Sequence, residues 1–404
     1  MKKKILIVSH AMELGGAERS LIGLLETIDY SEYSVDLFLL RHEGELFSSI
    51  PEDVNVLDEI SSYTVLARPI KQVLFEGHII LALARLYGKL KAYHVDNKIK
   101  EKNRQIDSLI SLEYSHKYTY RLMPKIQFNT CYDLAISFLT PHYIVANNVN
   151  ARKKIAWIHT DYSRVRLDIS SEMKMWNAYD NIISISKNVT EAFINVFPTL
   201  KHKIRLIENI LPVKLVVKQS NDFSVTEEMP NDSIRILSIG RYCAAKNFES
   251  VPAMCKKIIE KGLNIRWYLI GFGAGEGLIK NQIIKNNMQS KVILLGKKEN
   301  PYPYLKECDL YVQPSRYEGK SVTVREAQIL SKPVVITNYG TANSQLEDGI
   351  DGIIVPLEIN KCSEEIADLL YDQHKMNLLS NNCHNRDYSN AKEIEKLYEL
   401  INEN

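Results

Sequence analysis

The run Ser315-Arg316-Tyr317-Glu318-Gly319-Lys320-Ser321-Val322-Thr323-Val324-Arg325-Glu326-Ala327 sets two carboxylates eight positions apart across a glycine-containing loop that leads into a helix. Just upstream, Asp309-Leu310-Tyr311-Val312-Gln313-Pro314 reads as a short buried strand closed by proline. From Thr323 to Leu330 no breaker interrupts a helical pattern, and Thr323 or Ser321 stands where a cap belongs. The backbone N–H groups of Lys320, Ser321 and Val322 are then open to a ligand, and such donors suit a diphosphate. Glu326, about one turn into the helix, would point at hydroxyls in the same crevice, while Glu318, before the turn, would reach another part of the ligand. One carboxylate for each end of a phosphorylated sugar is one reading of this spacing. Two ordinary acids complementing the helix dipole is the other, and spacing alone leaves both open.

Cations lie where such a ligand would need them. Gly240-Arg241 follows an apolar strand, and Lys246-Asn247 comes just before a helix that starts at Phe248. Arginine offers a planar fork of donors and lysine a mobile point charge, a pair suited to neutralising a departing diphosphate; two solvated loop cations would read the same way. Gly15-Gly16 after the first strand allows close approach of backbone to ligand, or only relieves sterics in a turn. Ala156-Trp157-Ile158-His159-Thr160-Asp161-Tyr162 ends another strand with a histidine and an aspartate two apart. With no third ligand nearby a zinc site is not expected, and no metal is assigned; a satisfied core histidine is the other reading of His159. Gly271-Phe272-Gly273-Ala274-Gly275 follows a strand, but its third glycine comes one residue early for a dinucleotide fingerprint, and no acid stands about 20 residues on.

The elements that must hold these residues follow an α/β grammar. Lys4 to Ser9 is a continuous apolar run, followed by the glycine loop and a helix through Leu21, Leu24 and Leu25. Strands are expected at Ser34 to Leu40, Val54 to Leu57, Leu134 to Ser137 and Lys154 to Ile158, with a helix from Val73 to Leu86. The second half repeats the pattern, with strands at Arg235 to Ile239, Ile265 to Ile270 and Lys291 to Leu295, and a helix from Phe248 to Glu260. Leu211 to Asp232, holding Pro212, Pro230 and a polar run, reads as the linker. The domains expected are therefore 1–211 and 212–387, with a terminal helix in 388–404.

Composition sets bounds. A chain of 404 residues, 45% hydrophobic and 25% charged, can bury two cores of ordinary size. The apolar run after Met1-Lys2-Lys3-Lys4 is too short for a signal peptide or a membrane span, so a cytoplasmic location is expected. Six scattered cysteines without a CxxC pair suggest neither a disulfide framework nor a cysteine zinc site. A net charge of +2 lacks the footprint of a nucleic-acid binder. Charge is nonetheless concentrated locally: Arg85, Lys89, Lys91, Lys98, Lys100, Lys102 and Arg104 stand against Asp96 and Glu101, with Tyr87 and Tyr93 among them. A solvated face and attraction to an anionic membrane both fit this patch.

Taken in order along nearly the whole chain, these motifs resemble family 4 glycosyltransferases, retaining enzymes of bacterial polysaccharide and glycolipid biosynthesis whose signature is Glu, seven residues, Glu. Glu318 and Glu326 fit it. The resemblance implies the GT-B fold: two Rossmann-like domains with parallel sheets facing across a cleft, and a C-terminal helix crossing back to the first domain. It implies that Glu318 approaches the donor sugar and Glu326 the ribose, that Arg241 and Lys246 hold the phosphates, and that His159 lies against the sugar. Gly15, Gly16, Gly240, Gly273, Gly319, Lys320, Ser321 and Val322 would line the donor site, the segment Gly296-Lys297-Lys298 would read the base, and Asn209 would end the first domain. Asp161 and Tyr162 would reach the acceptor. The implied reaction moves a hexose or N-acetylhexosamine from a nucleotide diphosphate sugar, uracil favoured, to a saccharide or lipid-linked saccharide, without metal or cofactor and with possible peripheral contact at the inner membrane face through Arg85 to Arg104. A sugar-nucleotide epimerase of the same fold and a non-catalytic nucleotide-sugar-binding module are the rival readings.

Overall fold

A computed structural model describes residues 2–13, 15–99 and 107–403. The chain divides into two compact units, residues 1–211 with 390–404, and residues 212–389. In the first unit the strands are β1 (Lys3–Ser9), β2 (Tyr33–Leu39), β3 (Asn55–Val56), β4 (Asp107–Ser108), β5 (Tyr132–Ser137), β6 (Ala151–Ile158), β7 (Val165–Arg166), β8 (Asn181–Ser184) and β9 (Ile204–Leu206). Seven of them form one parallel sheet in the order β3-β2-β1-β5-β6-β8-β9, and β4 pairs with β7 apart from it. The second unit holds β10 (Ile234–Ile239), β11 (Ile265–Ile270), β12 (Val292–Gly296), β13 (Leu310–Gln313), β14 (Val334–Thr337) and β15 (Ile353–Val355), all parallel in the order β12-β11-β10-β13-β14-β15. Both sheets are doubly wound, as α/β units are when helices cover both faces.

The strands are continuous apolar runs because both faces are covered. Ile5 to Val8 and Trp267 to Ile270 are buried throughout. One polar group inside the second sheet is satisfied in place: Trp267 Nε1 donates to Ser238 Oγ at 2.9 Å, and Ser238 Oγ donates to the Val312 carbonyl at 2.6 Å. That chain of bonds ties β11 to β10 and β10 to β13.

Two expectations change. The helix expected over Val73 to Leu86 is two helices, Ile70–Phe75 and Ile79–Ile99, separated at Gly77, whose φ of +85° a helix cannot contain. The expected linker holds a two-turn helix, Val213–Gln219, which buries Leu215 and Val216. The terminal helix Glu393–Asn402 packs within the first unit: Tyr398 stacks on Tyr33 at 4.6 Å, its hydroxyl accepts from Asp29 N at 2.8 Å, and Leu397 and Leu400 are buried.

Candidate functional site

In a doubly wound sheet the loops leaving two central neighbours diverge and open a crevice at the carboxyl edge. In the second unit those neighbours are β10 and β13. The loop after β10 carries Gly240, Arg241 and Lys246; the loop after β13 carries Glu318, Gly319, Lys320 and Ser321. Arg316 staples the two loops together, its N–H donating to Ala245 O at 2.8 Å and its guanidinium to Ala244 O and the Glu249 carboxylate, both at 2.6 Å. Lys246 Nζ then meets Glu318 Oε1 at 2.6 Å. Gly240 makes room for this: a Cβ there would stand 3.1 Å from Lys246 Cε. Arg241 is exposed and makes no hydrogen bond or ion pair with another described residue.

Glu318 stands at the end of a buried polar chain. Ser315 Oγ donates to its Oε1 at 2.6 Å and accepts from Gln313 Nε2 at 2.9 Å, while Gln313 Oε1 accepts from Tyr311 OH at 2.6 Å and from Thr323 Oγ1 at 3.3 Å. Tyr311, Gln313 and Ser315 are fully buried. A satisfied buried network of this kind holds its terminal group in one place. Sequence reasoning overlooked it, as it did Arg316. The legible signal was polar groups at alternate positions 311, 313 and 315, along an otherwise apolar strand and just past its end.

The helix here is Val322–Ile329, with no acid in its first turn. Glu318 precedes it, and Glu326 is fully buried one turn in, its Oε1 accepting from Tyr302 OH at 2.7 Å. Neither carboxylate therefore lies in the first turn of the helix, and Glu326 is closed off from solvent. The open amides expected at 320–322 are also fewer. Ser321 makes no side-chain cap, and its N–H donates to Gln345 Oε1 at 2.6 Å, so that amide is taken; the Thr323 hydroxyl serves Gln313 instead of capping.

The Gly271–Gly275 loop owes its glycines to packing. A Cβ at Gly271 would stand 1.9 Å from Gly240 O and one at Gly273 2.6 Å from Tyr242 O, and Tyr242 N donates to Phe272 O at 2.8 Å. Both glycines thus bring this loop against the one after β10. Gly296 closes β12 with φ +70°, Lys297 is exposed with its Nζ 5.8 Å from the Phe272 ring centre, and Lys298 pairs with Glu228 at 2.7 Å.

The first unit holds a separate group. Gly15 precedes the helix Gly16–Thr27, and the Glu18 carboxylate folds back over it, 2.1 Å from where a Cβ would be; among the described residues nothing lies within 4 Å of where a Cβ at Gly16 would stand. Asn209 keeps its side-chain oxygen buried and accepts at its carbonyl from Asn390 Nδ2 at 3.1 Å. His159, after β6, packs its ring on Phe138 at 4.8 Å, and its buried Nε2 has no hydrogen-bond partner among the described residues. Burial lowers it to about 4, against a backbone hydrogen bond with Phe138 that favours the charged form, so the imidazole is neutral.

His159 lines a cavity of about 230 Å³ with Glu113, His116, His142, Trp157 and Glu172. Glu113 accepts from Tyr143 OH at 2.8 Å and from Ser171 Oγ, while its Oε2 is buried without a partner among the described residues. Glu172 accepts from Trp176 Nε1 at 3.2 Å and is pushed up to about 8, by burial first and the Glu113 carboxylate second. His116 and His142 are lowered by burial to about 3. Carboxyl, imidazole and aromatic walls with little charge suit the hydroxyls of a neutral sugar. Segments distant in sequence supply them, so no local motif announced the cavity. Of the two expected acceptor residues, Asp161 caps a turn through Ser163 N at 3.0 Å and Ser163 Oγ at 2.6 Å, and Tyr162 is buried edge-on against Phe193 at 5.2 Å while also lining the cavity.

Residues 220–386 match the family described as Glycosyl transferases group 1. An uncharacterized glycosyltransferase of Methanocaldococcus jannaschii is 30% identical over 267 residues, 61% of this chain and 74% of that protein. The UDP-Gal:alpha-D-GlcNAc-diphosphoundecaprenol alpha-1,3-galactosyltransferase of Escherichia coli is 26% identical over 209 residues, 49% of this chain and 54% of that enzyme. The chain spans about half the length of the first curated relatives it matches, 54% of each of two. Among solved structures, Anabaena HepE in complex with UDP superposes with a TM-score of 0.63 at 16% identity over 99% of both chains. TarM of S. aureus superposes with a TM-score of 0.64 at 15% identity, over 99% of this chain and 100% of that one. With two doubly wound parallel sheets, a matched group 1 domain and a relative aligned over most of its length, the chain belongs to the glycosyltransferases of GT-B fold.

Proposed function

We propose that the protein is a retaining glycosyltransferase of family 4 type, moving a hexose or N-acetylhexosamine from a UDP-sugar to a saccharide or lipid-linked saccharide. The observation that carries this reading is the Lys246–Glu318 pair, held at the switch point of the matched domain by a buried hydrogen-bond chain beside the exposed Arg241. Arg241 and Lys246 would hold the diphosphate, Glu318 and Glu326 the sugar and ribose hydroxyls, and Lys297 the neighbourhood of the base. In the reaction the acceptor oxygen bonds to the anomeric carbon on the face from which the diphosphate oxygen leaves. The acceptor's proton passes to that departing oxygen, whose growing charge the two cations stabilise.

The cavity beside His159 would take the acceptor sugar, with the orphaned Nε2 and Glu113 Oε2 as its polar anchors. A uracil donor and a lipid-diphosphate acceptor draw support from the name of the E. coli relative, and a uracil donor also from the UDP held by the HepE structure. That acceptor class would place the reaction at the inner face of a membrane. The test is incubation with UDP-sugars and a panel of saccharide acceptors, following UDP release and the anomeric coupling of the product by proton NMR. A product with the donor's configuration is expected; an inverted product, or donor turnover to a free sugar nucleotide without acceptor, refutes the reading.

A further inference from the structure

The helix Ile79–Ile99 buries only a narrow face. Leu81, Ala82, Arg85, Gly88 and Ala92 point inward, and Gly88 lies so close to the helix Ile110–Thr119 that a Cβ would stand 2.7 Å from Tyr114 O. The opposite face is apolar as well. Ile80, Leu83, Tyr87, Leu90 and Tyr93 recur every three to four residues and are exposed, Ile80 by 69%, as is Ile79, and Phe75, at the end of the preceding helix, is exposed by 92%. A helix facing only water would place polar side chains there.

Charge identifies the partner. Lys71, Lys89, Lys91 and Lys98 are exposed on the same two helices. The acids in this stretch are Glu76 and Asp96, and each is paired with an arginine at 2.6 Å, Arg68 and Arg166 respectively. Arg85 is not part of this surface: it is buried, donating to Ser115 Oγ at 3.2 Å and to the carbonyls of Val65 and Arg68. Lys100, Glu101, Lys102 and Arg104 lie outside the described residues. The basic patch read from sequence is thus an apolar stripe edged by lysines. A second copy docking by the same face would bring lysines against lysines, whereas an anionic bilayer offers hydrocarbon to the stripe and phosphate to its rim. No described helix is long and apolar enough to cross a membrane, so this one would lie in the interface plane.

We infer that Phe75 and the exposed face of Ile79–Ile99 dock the first unit onto an anionic lipid surface, the apolar side chains entering the acyl boundary and Lys71, Lys89, Lys91 and Lys98 meeting headgroup phosphates. This goes beyond the proposed transfer reaction and fails or stands separately from it. The experiment is flotation of the full chain with vesicles of phosphatidylcholine alone or with about one-third phosphatidylglycerol, which supplies the several-fold electrostatic preference expected of clustered lysines. Wild type should float with the anionic vesicles and lose this in high salt. The variant Ile80→Ser/Leu83→Ser/Leu90→Ser should bind at least about tenfold more weakly, consistent with losing buried apolar area at three positions. Lys89→Gln/Lys91→Gln should weaken binding and flatten its salt dependence. UDP titration of each variant reports on the donor site independently. Absent binding to both vesicles, equal binding to both, binding indifferent to the serine variant, or a solution dimer dispersed by that variant each overturns the inference, whatever UDP binding shows.

Discussion

Lys246 and Glu318, 72 residues apart in sequence, form an ion pair at 2.6 Å, with Ser315 bonded to the same carboxylate oxygen. The pair joins a cation suited to phosphate with a carboxylate suited to sugar hydroxyls, so each positions the other. Lys246→Met and Glu318→Gln should each lower kcat on the order of 100-fold, the size seen when one preorganised electrostatic contact is removed. Because the residues touch, the double variant should fall well short of the product of the two losses. Steady-state kinetics of the three variants checks this; full additivity would show that the contact has no part in turnover.

Arg241 is exposed and forms no hydrogen bond or ion pair with another described residue, so the fold should tolerate its loss. Arg241→Ala should leave the melting temperature within the scatter of a surface change, roughly 0.5 kcal/mol, yet weaken UDP about tenfold or more. Calorimetric titration and thermal melting of the same sample separate the two effects. Unchanged affinity would remove Arg241 from the donor site.

The cavity in the first unit makes stability depend on pH in two directions. His116, His142 and His159 sit at about 3, 3 and 4 when folded, below the ordinary 6.5, so the unfolded chain protonates first and their contribution is lost as pH falls from about 6.5. Glu172 keeps its proton to about 8 when folded but loses it near 4.5 unfolded, so stability also falls as pH rises between those values, and Glu113 is shifted in the same direction by burial. These groups together place the maximum near pH 6.5. Glu172→Gln should raise stability at pH 8 relative to pH 6.5, and melting curves from pH 5 to 9 for both proteins test it. A wild-type melting point that climbs steadily through pH 8 would contradict the assignment.

The terminal helix is held by Leu397, Leu400 and the Tyr398–Tyr33 stack. Leu397→Ala should destabilise the first unit by about 2–5 kcal/mol, as buried leucine truncations do. Denaturant unfolding measures it, and a loss below 1 kcal/mol would mean the helix adds little to the unit.

Much of the scaffold was readable because parallel strands buried on both faces are continuous apolar runs, as at Ile5 to Val8 and Trp267 to Ile270. The Glu318–Glu326 spacing was readable because one loop and one helix carry both residues. What escaped depends on contacts between distant segments. Arg316 became a staple only when the loop after β13 met Glu249, and the Glu113–Glu172 cavity draws on two separate helices. The apolar stripe escaped for another reason. Ile79, Ile80, Leu83 and Leu90 look the same in sequence whether they face a core or water, and Arg85, taken for surface charge, is buried beside them.

Binding of a panel of UDP-, GDP- and ADP-sugars, detected on the ligand by NMR for wild type, Arg241→Ala and Glu326→Gln, reaches the donor assignment most directly. Selective binding of one UDP-sugar, lost in both variants, is the expected result. Binding of none, or binding indifferent to both substitutions, would contradict the placement of the donor at the switch point of the second unit.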